Sequence, residues 1–161
     1  MLPEALLARA PGVLASLRAR GWKLATAESC TGGLIAAALT SVAGSSDVVE
    51  RGFVTYSNEA KTELLGVPSA LIAAHGAVSG QVAAAMAAGA LTQSHADIAI
   101  SVTGVAGPGG GSAAKPVGLV WFGLATRGAP ASSVAHHFPG DRTAVRAAAV
   151  ATAFDLIEGS Q

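Results

Sequence analysis

The order of the predicted elements along the chain most constrains its fold. Short runs rich in β-branched and other apolar residues predict strands, and helical segments separate the first three of them. The predicted strands cover residues 23–27, 52–56, 98–103, 117–126 and 132–138. A Gly- and Pro-containing turn joins the last two, which indicates an antiparallel hairpin. We therefore expect an α/β fold, a single three-layer α/β/α domain with a mixed sheet over residues 1–161.

Several predicted helices carry start or stop signals. Asn58 is a possible N-cap for a helix that Gly66-Val67-Pro68 ends, and Ser79 can cap the alanine-rich segment that follows. The last helix is predicted to begin near Gly140-Asp141. In the first helical segment, Pro11-Gly12 interrupts the apolar periodicity, which predicts a kink or two short helices.

Small residues dominate the predicted core. The chain contains 37 alanines and 20 glycines among 161 residues, and 51% of the chain is hydrophobic. Alanine supports thin, closely packed helices, and glycine supports tight turns. The composition therefore favours close packing of helices on a sheet over a bulky aromatic interior.

Charge and cysteine content exclude several classes of protein. The formal net charge is +0, which gives no basic surface for nucleic acid. The longest apolar candidate, Val82 to Leu91, is too short to span a bilayer, and the N-terminus lacks the pattern of a signal peptide. A single cysteine, Cys30, cannot form an internal disulfide. We expect a cytoplasmic protein that binds neither nucleic acid nor membrane.

The turn after the first predicted strand concentrates three possible nucleophiles. These are Ser29, Cys30 and Thr31, which precede Gly32 and Gly33 at the start of a predicted helix. Free N–H groups at such a helix start can stabilise an oxyanion or a phosphate. Alternatively, Ser29 or Thr31 only caps the helix and the glycines allow close packing. Cys30 is a rival nucleophile or a small core residue.

A second candidate site follows the next predicted strand. Tyr56 ends the strand, and Lys61 lies on the helix after it. Lysine acts as a general base only if its pKa falls well below the reference value of roughly 10.4, which burial achieves. The alternative is a solvated helix face on which Lys61 lies beside Glu59 and Glu63.

Two further segments are candidates for phosphate binding. Thr103-Gly104 begins a glycine-rich stretch directly after a buried predicted strand, where open α/β sheets place ligands. Arg142, at the start of the last helix, offers a bidentate phosphate contact. A flexible surface loop and an ordinary surface charge are the respective alternatives. The four histidines show no spacing typical of metal ligands, so we expect no metal and no cofactor.

Four motifs together resemble the CinA C-terminal domain family. They are Ala27-Glu28-Ser29-Cys30-Thr31-Gly32-Gly33, Arg51-Gly52-Phe53-Val54-Thr55-Tyr56-Ser57-Asn58-Glu59-Ala60-Lys61, His75-Gly76-Ala77-Val78-Ser79 and Lys115-Pro116-Val117-Gly118. The resemblance covers nearly the whole chain in order. We expect the free-standing form of this domain, without the N-terminal domain of full-length CinA proteins.

The resemblance implies an activity and a catalytic set. The activity is hydrolysis of the carboxamide of nicotinamide mononucleotide to nicotinate mononucleotide and ammonia, in pyridine-nucleotide recycling. Ser29 is the implied nucleophile, assisted by Lys61 and Tyr56. We expect the backbone near Cys30 and Thr31 to hold the oxyanion.

The substrate is then a small-molecule nucleotide, and its phosphate is expected near Thr31-Gly32-Gly33, Thr103-Gly104 or Arg142. Two other functions stay open: a non-catalytic nucleotide-binding or regulatory module linked to competence or DNA damage, and an amidohydrolase of another small amide. Alanine-rich helices and an exposed sheet edge suit a homo-oligomer, most simply a dimer, although the same features suit a monomer.

Overall fold

A five-stranded mixed sheet lies at the centre of the computed structural model, which describes residues 2–160. The strands are β1 (Leu24–Glu28), β2 (Val49–Val54), β3 (Ile98–Gly104), β4 (Leu119–Thr126) and β5 (Ser132–His137). In the sheet order β2-β1-β3-β4-β5, the first three strands run parallel to one another. The other two pair antiparallel as the predicted hairpin. The expected α/β class and mixed sheet are confirmed.

Helices cover both faces of this sheet. They are α1 (Glu4–Leu7), α2 (Ala10–Ala19), α3 (Leu34–Thr40), α4 (Asn58–Leu65), α5 (Ser69–His75), α6 (Gly80–Thr92) and α7 (Arg142–Gly159), with a short 3-10 turn at Ser45–Asp47. One hydrophobic cluster joins α1, α2, α3 and α7 to one face, and a second joins α4, α5 and α6 to the other. The three-layer arrangement is therefore confirmed. None of these helices, within residues 2–160, is long and apolar enough to cross a membrane.

The two faces of the sheet carry side chains of different size. Side chains alternate between the faces along each strand. The face toward α7 carries Leu24, Ile98, Ile100, Val102, Val120 and Phe122. The face toward α6 carries Ala25, Ala27, Ala99, Gly123 and Ala125. A Cβ atom on Gly123 would overlap the carbonyl oxygen of Ala83 in α6, so this helix lies directly on the strand backbone. Alanine and glycine on this face of the sheet thus allow α6 to pack close to the strands.

The predicted helix boundaries hold in most places. The side chain of Ser79 caps α6, as expected, and α7 begins at Arg142, next to its predicted start, with the side chain of Asp141 as its cap. The first helical segment is two helices, but they separate at Ala8–Arg9, ahead of the predicted break. Pro11 is the second residue of α2, where a missing N–H costs no hydrogen bond.

Two local predictions around β2 are wrong. The strand ends at Val54, so Tyr56 lies in the following loop, outside the strand. Ser57, and not Asn58, caps α4, because its hydroxyl oxygen accepts a hydrogen bond of 3.0 Å from the backbone N–H of Ala60. Helix α5 was not predicted; its seven residues lie between Pro68 and Gly76, and only Ile72 among them is buried.

The topology places a crevice beside β1. The carboxyl ends of β1, β2 and β3 meet at one edge of the sheet. The β1–β2 connection passes over one face through α3, and the β2–β3 connection passes over the other through α4, α5 and α6. Open α/β sheets bind ligands where their connections diverge in this way.

Candidate active site

A cavity of about 300 Å³ lies at this edge of the sheet. The expected site residues that line it are Ser29, Cys30, Tyr56, Lys61, Thr103, Gly104 and Arg142. The other three expected residues, Thr31, Gly32 and Gly33, form the turn next to it and are not part of its lining. The fold therefore brings together side chains from segments far apart in the sequence.

Ser29 and Lys61 are in direct contact. Ser29 follows the last residue of β1, and its backbone N–H donates to the carbonyl oxygen of Val102 at 2.9 Å. The amine nitrogen of Lys61, from α4, lies 3.1 Å from the hydroxyl oxygen of Ser29. The same nitrogen lies 2.7 Å from the carbonyl oxygen of Thr55 and 3.4 Å from that of Ser57. A neutral amine fits these partners, because it donates two hydrogens to the carbonyls and accepts the serine proton with its lone pair.

Burial explains how Lys61 can lose its proton. The side chain is only 1% exposed, and loss of hydration lowers its pKa below the ordinary value of 10.5. None of the ion pairs within residues 2–160 gives Lys61 a carboxylate partner that would restore the charged form. Geometry and pKa together suit a general base that acts on Ser29.

Cys30 is poorly suited to be the nucleophile. Its side chain is 6% exposed, and burial raises the pKa of the thiol to about 11. The thiolate is the reactive form of cysteine, so a neutral buried thiol is inert near neutral pH. Of the two rival side chains, Ser29 alone contacts the base directly.

Within residues 2–160, three backbone N–H groups of the turn after Ser29, those of Cys30, Thr31 and Gly33, have no hydrogen-bond acceptor. The N–H of Gly32 bonds the carbonyl oxygen of Ser29 at 3.0 Å, which closes the turn. Gly32 and Gly33 adopt φ angles of +59° and +99°, which side chains other than glycine rarely allow. Free donors next to a nucleophile, such as the N–H groups of Cys30 and Thr31, can stabilise an oxyanion.

The carboxylate of Glu28 supports this turn from inside the fold. It is fully buried, and its two oxygens accept hydrogen bonds from the N–H groups of Ile35 at 2.9 Å and Ala36 at 3.1 Å. An anion at the start of α3 satisfies donors that a helix leaves open there. No role for Glu28 was predicted from the sequence, although an acidic residue just before a strand-to-helix turn is a recognisable signal.

Tyr56 and Arg142 lie together at the mouth of the cavity. The Tyr56 side chain is 61% exposed, and its hydroxyl accepts a hydrogen bond of 3.0 Å from Arg142. A second guanidinium nitrogen of Arg142 donates to the carbonyl oxygen of Gly107 at 2.9 Å. Within the described residues, the Tyr56 hydroxyl makes no hydrogen bond to Ser29 or Lys61.

The loops that carry the remaining motifs are joined to one another by hydrogen bonds next to the cavity. The hydroxyl of Thr103 donates to the carbonyl oxygen of Ala77 at 2.9 Å. The amine of Lys115 donates to the carbonyl oxygen of His75 at the end of α5. These contacts join the glycine-rich loop to the segment before α6.

The cavity lining carries positive and no negative charge among the described residues. It includes the guanidinium of Arg142 and no carboxylate from the part of the chain that the structure describes. This charge pattern favours an anionic ligand. Within residues 2–160, no three His, Cys, Asp or Glu side chains are grouped so that they could hold a metal ion.

Comparisons with known proteins identify the family of the chain. A family model of the CinA C-terminal domain matches residues 8–160. The nicotinamide-nucleotide amidohydrolase PncC of Enterobacter agglomerans is 57% identical over 132 residues, which cover 82% of this chain and 80% of the relative. Its namesake from Escherichia coli K12 is 52% identical over 142 residues, 88% of this chain and 86% of the relative.

A solved structure gives the same result. The crystal structure of the competence/damage inducible protein CihA from Agrobacterium tumefaciens matches with a TM-score of 0.94 and 46% sequence identity. The match covers 99% of this chain and 97% of that one. The chain belongs to the CinA C-terminal domain family.

Proposed function

We propose that this protein hydrolyses the carboxamide of nicotinamide mononucleotide to nicotinate mononucleotide and ammonia, with Ser29 as the nucleophile. The observation that carries the proposal is the 3.1 Å contact between the hydroxyl of Ser29 and the buried amine of Lys61. Relatives that are 57% and 52% identical are named nicotinamide-nucleotide amidohydrolases, which supports the same reaction here. A module that only bound nucleotides would have no need for a lysine buried against a serine, since burying an amine costs stability.

The proposed reaction has two stages. Neutral Lys61 accepts the hydroxyl proton while Oγ of Ser29 attacks the amide carbon. The N–H groups of Cys30 and Thr31 stabilise the oxyanion of the tetrahedral intermediate. Lys61 then gives its proton to the departing nitrogen, so that ammonia leaves and an ester to Ser29 remains. The same amine then deprotonates a water molecule, which attacks the ester carbon. The bond to Oγ breaks, Lys61 returns the proton to Ser29, and the product leaves as the carboxylic acid, which ionises in water.

Tyr56 and Arg142 have proposed roles at the cavity mouth. We propose that Tyr56 assists proton transfer once substrate is bound, as the family resemblance implies. Arg142 is the proposed phosphate contact, because its guanidinium lines the same cavity as Ser29. Thr103-Gly104 is a second candidate for the phosphate, and Thr31-Gly32-Gly33 a third, although the N–H of Gly32 already bonds Ser29.

Ammonia release from nicotinamide mononucleotide tests the function. Replacing Ser29 by Ala should lower kcat at least about 10³-fold, as expected for loss of a nucleophile. Cys30→Ala, with the same loss of one heteroatom in the next residue, should stay active. If Ser29→Ala kept its turnover and Cys30→Ala lost it, Ser29 would not be the nucleophile.

The substrate is tested in parallel with nicotinamide, NAD and nicotinamide mononucleotide, each with and without EDTA. We expect turnover of the mononucleotide alone, unchanged by EDTA. Turnover of a different amide would point to another amidohydrolase activity, and binding of the nucleotide without turnover to a regulatory module. A single domain, a dimeric state and a location in the reducing cytoplasm stay predictions from the sequence.

A further inference from the structure

We infer that Arg146 is a positioning residue that orients the oxyanion donors beside Ser29. The inference rests on the proposed function. Nε of Arg146 donates to the carbonyl oxygen of Cys30 at 3.1 Å, and Nη2 donates to that of Thr31 at 3.0 Å. Arg146 lies on α7, outside the lining of the cavity, and no motif of the sequence analysis includes it.

The geometry of the peptide bond connects Arg146 to the oxyanion donors. In a trans peptide the C=O and the next N–H point in opposite directions. When Arg146 holds the carbonyl of Cys30 on one side, the N–H of Thr31 must point to the other. The N–H of Cys30 is oriented in the same way, because Gly32 holds the carbonyl of Ser29. The two proposed oxyanion donors, the N–H groups of Cys30 and Thr31, therefore belong to peptides whose carbonyl oxygens are held in place.

Arg146 is the described hydrogen-bond partner of the Cys30 carbonyl, so the orientation of this peptide depends on it. The planar guanidinium can hold two neighbouring carbonyls at once, which a single ammonium group does less well. Within residues 2–160, Arg146 forms no ion pair with a carboxylate that would compete for these donors. Its position 3.4 Å from the site of a Cβ on Gly32 shows how closely it approaches the turn.

Helix α7 contacts both the glycine-rich loop and the turn that follows Ser29. Arg142 and Arg146 are four residues apart and share a face of α7. Arg142 contacts the glycine-rich loop through Gly107, and Arg146 contacts the turn that follows Ser29. The first two turns of α7 thus set the distance between the proposed phosphate contact and the proposed oxyanion donors.

The test compares Arg146→Ala and Arg146→Lys with a matched control, Arg9→Ala. Arg9 also contacts α7, through Asp155 and Glu158, but lies away from the turn. Two rates are measured: kcat for nicotinamide mononucleotide, and the rate at which a fluorophosphonate modifies Ser29, followed by intact mass. In the second reaction the serine oxygen bonds phosphorus, fluoride leaves, the serine proton passes to Lys61, and the phosphoryl oxygen takes the oxyanion position.

For Arg146→Ala we expect both rates to fall roughly 10- to 100-fold, which is no more than the rate loss caused by removing one oxyanion donor. The KM for nicotinamide mononucleotide should change little. Arg146→Lys should fall between this variant and wild type, and Arg9→Ala should match wild type. Added guanidinium, at a concentration that leaves wild type folded and active, should restore part of the rate to Arg146→Ala. A role in stability alone would lower Tm without this rescue.

The inference would be overturned if folded Arg146→Ala reacted with the fluorophosphonate at the wild-type rate. It would also be overturned if added guanidinium did not raise the rate of this variant. If Arg146→Ala does not fold, a wild-type rate of Ser29 modification in Arg146→Lys would overturn the inference instead. The phosphonylation arm requires only a reactive Ser29 and no particular amide. Failure to hydrolyse nicotinamide mononucleotide is therefore distinguishable from failure of the positioning role.

Discussion

The amine of Lys61 lies 3.1 Å from the hydroxyl of Ser29 and bonds two backbone carbonyls, with no carboxylate paired to it within residues 2–160. In a Ser-His-Asp triad, an acidic side chain orients the base. Here the carbonyl oxygens of Thr55 and Ser57 orient the amine, and burial lowers its pKa. The protonation state of one lysine therefore controls the proposed reaction.

The pH dependence of kcat/KM should report this lysine. Because burial lowers the pKa of Lys61, activity should rise with pH along a limb centred below 10.5. Lys61→Arg should remove the limb and nearly all activity, since a guanidinium stays protonated. Initial rates of ammonia release across the pH range check this. An unchanged profile in Lys61→Arg would exclude Lys61 as the base.

Stability should depend on pH through the same residue. Between the lowered folded pKa and the unfolded value near 10.5, the unfolded chain binds more protons at Lys61 than the folded protein does. Wild type should therefore gain stability relative to Lys61→Met as pH rises through this window, by up to about 1.4 kcal/mol per pH unit. Urea unfolding of both proteins at several pH values measures the difference. Parallel curves would contradict a lowered pKa.

Cys30 should react slowly with thiol reagents. Burial raises the pKa of its thiol to about 11, so little thiolate exists at pH 7. We expect iodoacetamide to modify native protein far more slowly than urea-unfolded protein, and Cys30→Ser to remain catalytically active. Rapid alkylation of native protein with parallel loss of activity would place a reactive thiol at the centre of the site.

Arg142 should contribute to recognition of the phosphate. Arg142→Ala should raise KM for nicotinamide mononucleotide roughly 10-fold or more, in line with loss of a charge-assisted contact. For the dephosphorylated nucleoside, KM should change much less. Steady-state kinetics with both substrates separate this role from a general disturbance of the site, which would affect both substrates equally.

Gly33→Ala should destabilise the turn that carries the nucleophile. Gly33 has a φ of +99°, a conformation that costs a residue with a Cβ about 1–3 kcal/mol. Gly12→Ala is the control, because Gly12 lies inside α2 and a Cβ there meets its nearest neighbour at an ordinary 3.8 Å. It should be neutral or stabilising by up to about 1 kcal/mol. Chemical denaturation measures the free energy of unfolding of both variants. Equal values would contradict backbone strain at position 33.

The order of strands and helices predicted the fold because that pattern has few compatible architectures. The boundaries near β2 were less certain: Tyr56 is aromatic and extends the strand pattern, yet the pairing with β1 stops at Val54. A short helix such as α5 has little amphipathic pattern, since a single buried side chain, Ile72, anchors it.

The site was predictable only in part. The sequence placed Ser29 in the turn after a predicted strand and Lys61 on a predicted helix, with a solvated helix face as the alternative for Lys61. Only the packing of α4 shows that the amine turns inward to Ser29. Arg146 follows Ser29 by more than a hundred residues, so no local pattern connects the two.

The two faces of the sheet differ in side-chain size, so they respond differently to substitution. Beside α7, where Phe122 and the aliphatic residues pack, most substitutions remove atoms and leave cavities. On the face beside α6, the strands carry Gly123 and alanines, so most substitutions there add atoms, and at Gly123 a Cβ would overlap the helix backbone. Loss of volume therefore limits substitution on one face of the sheet, and gain of volume limits it on the other.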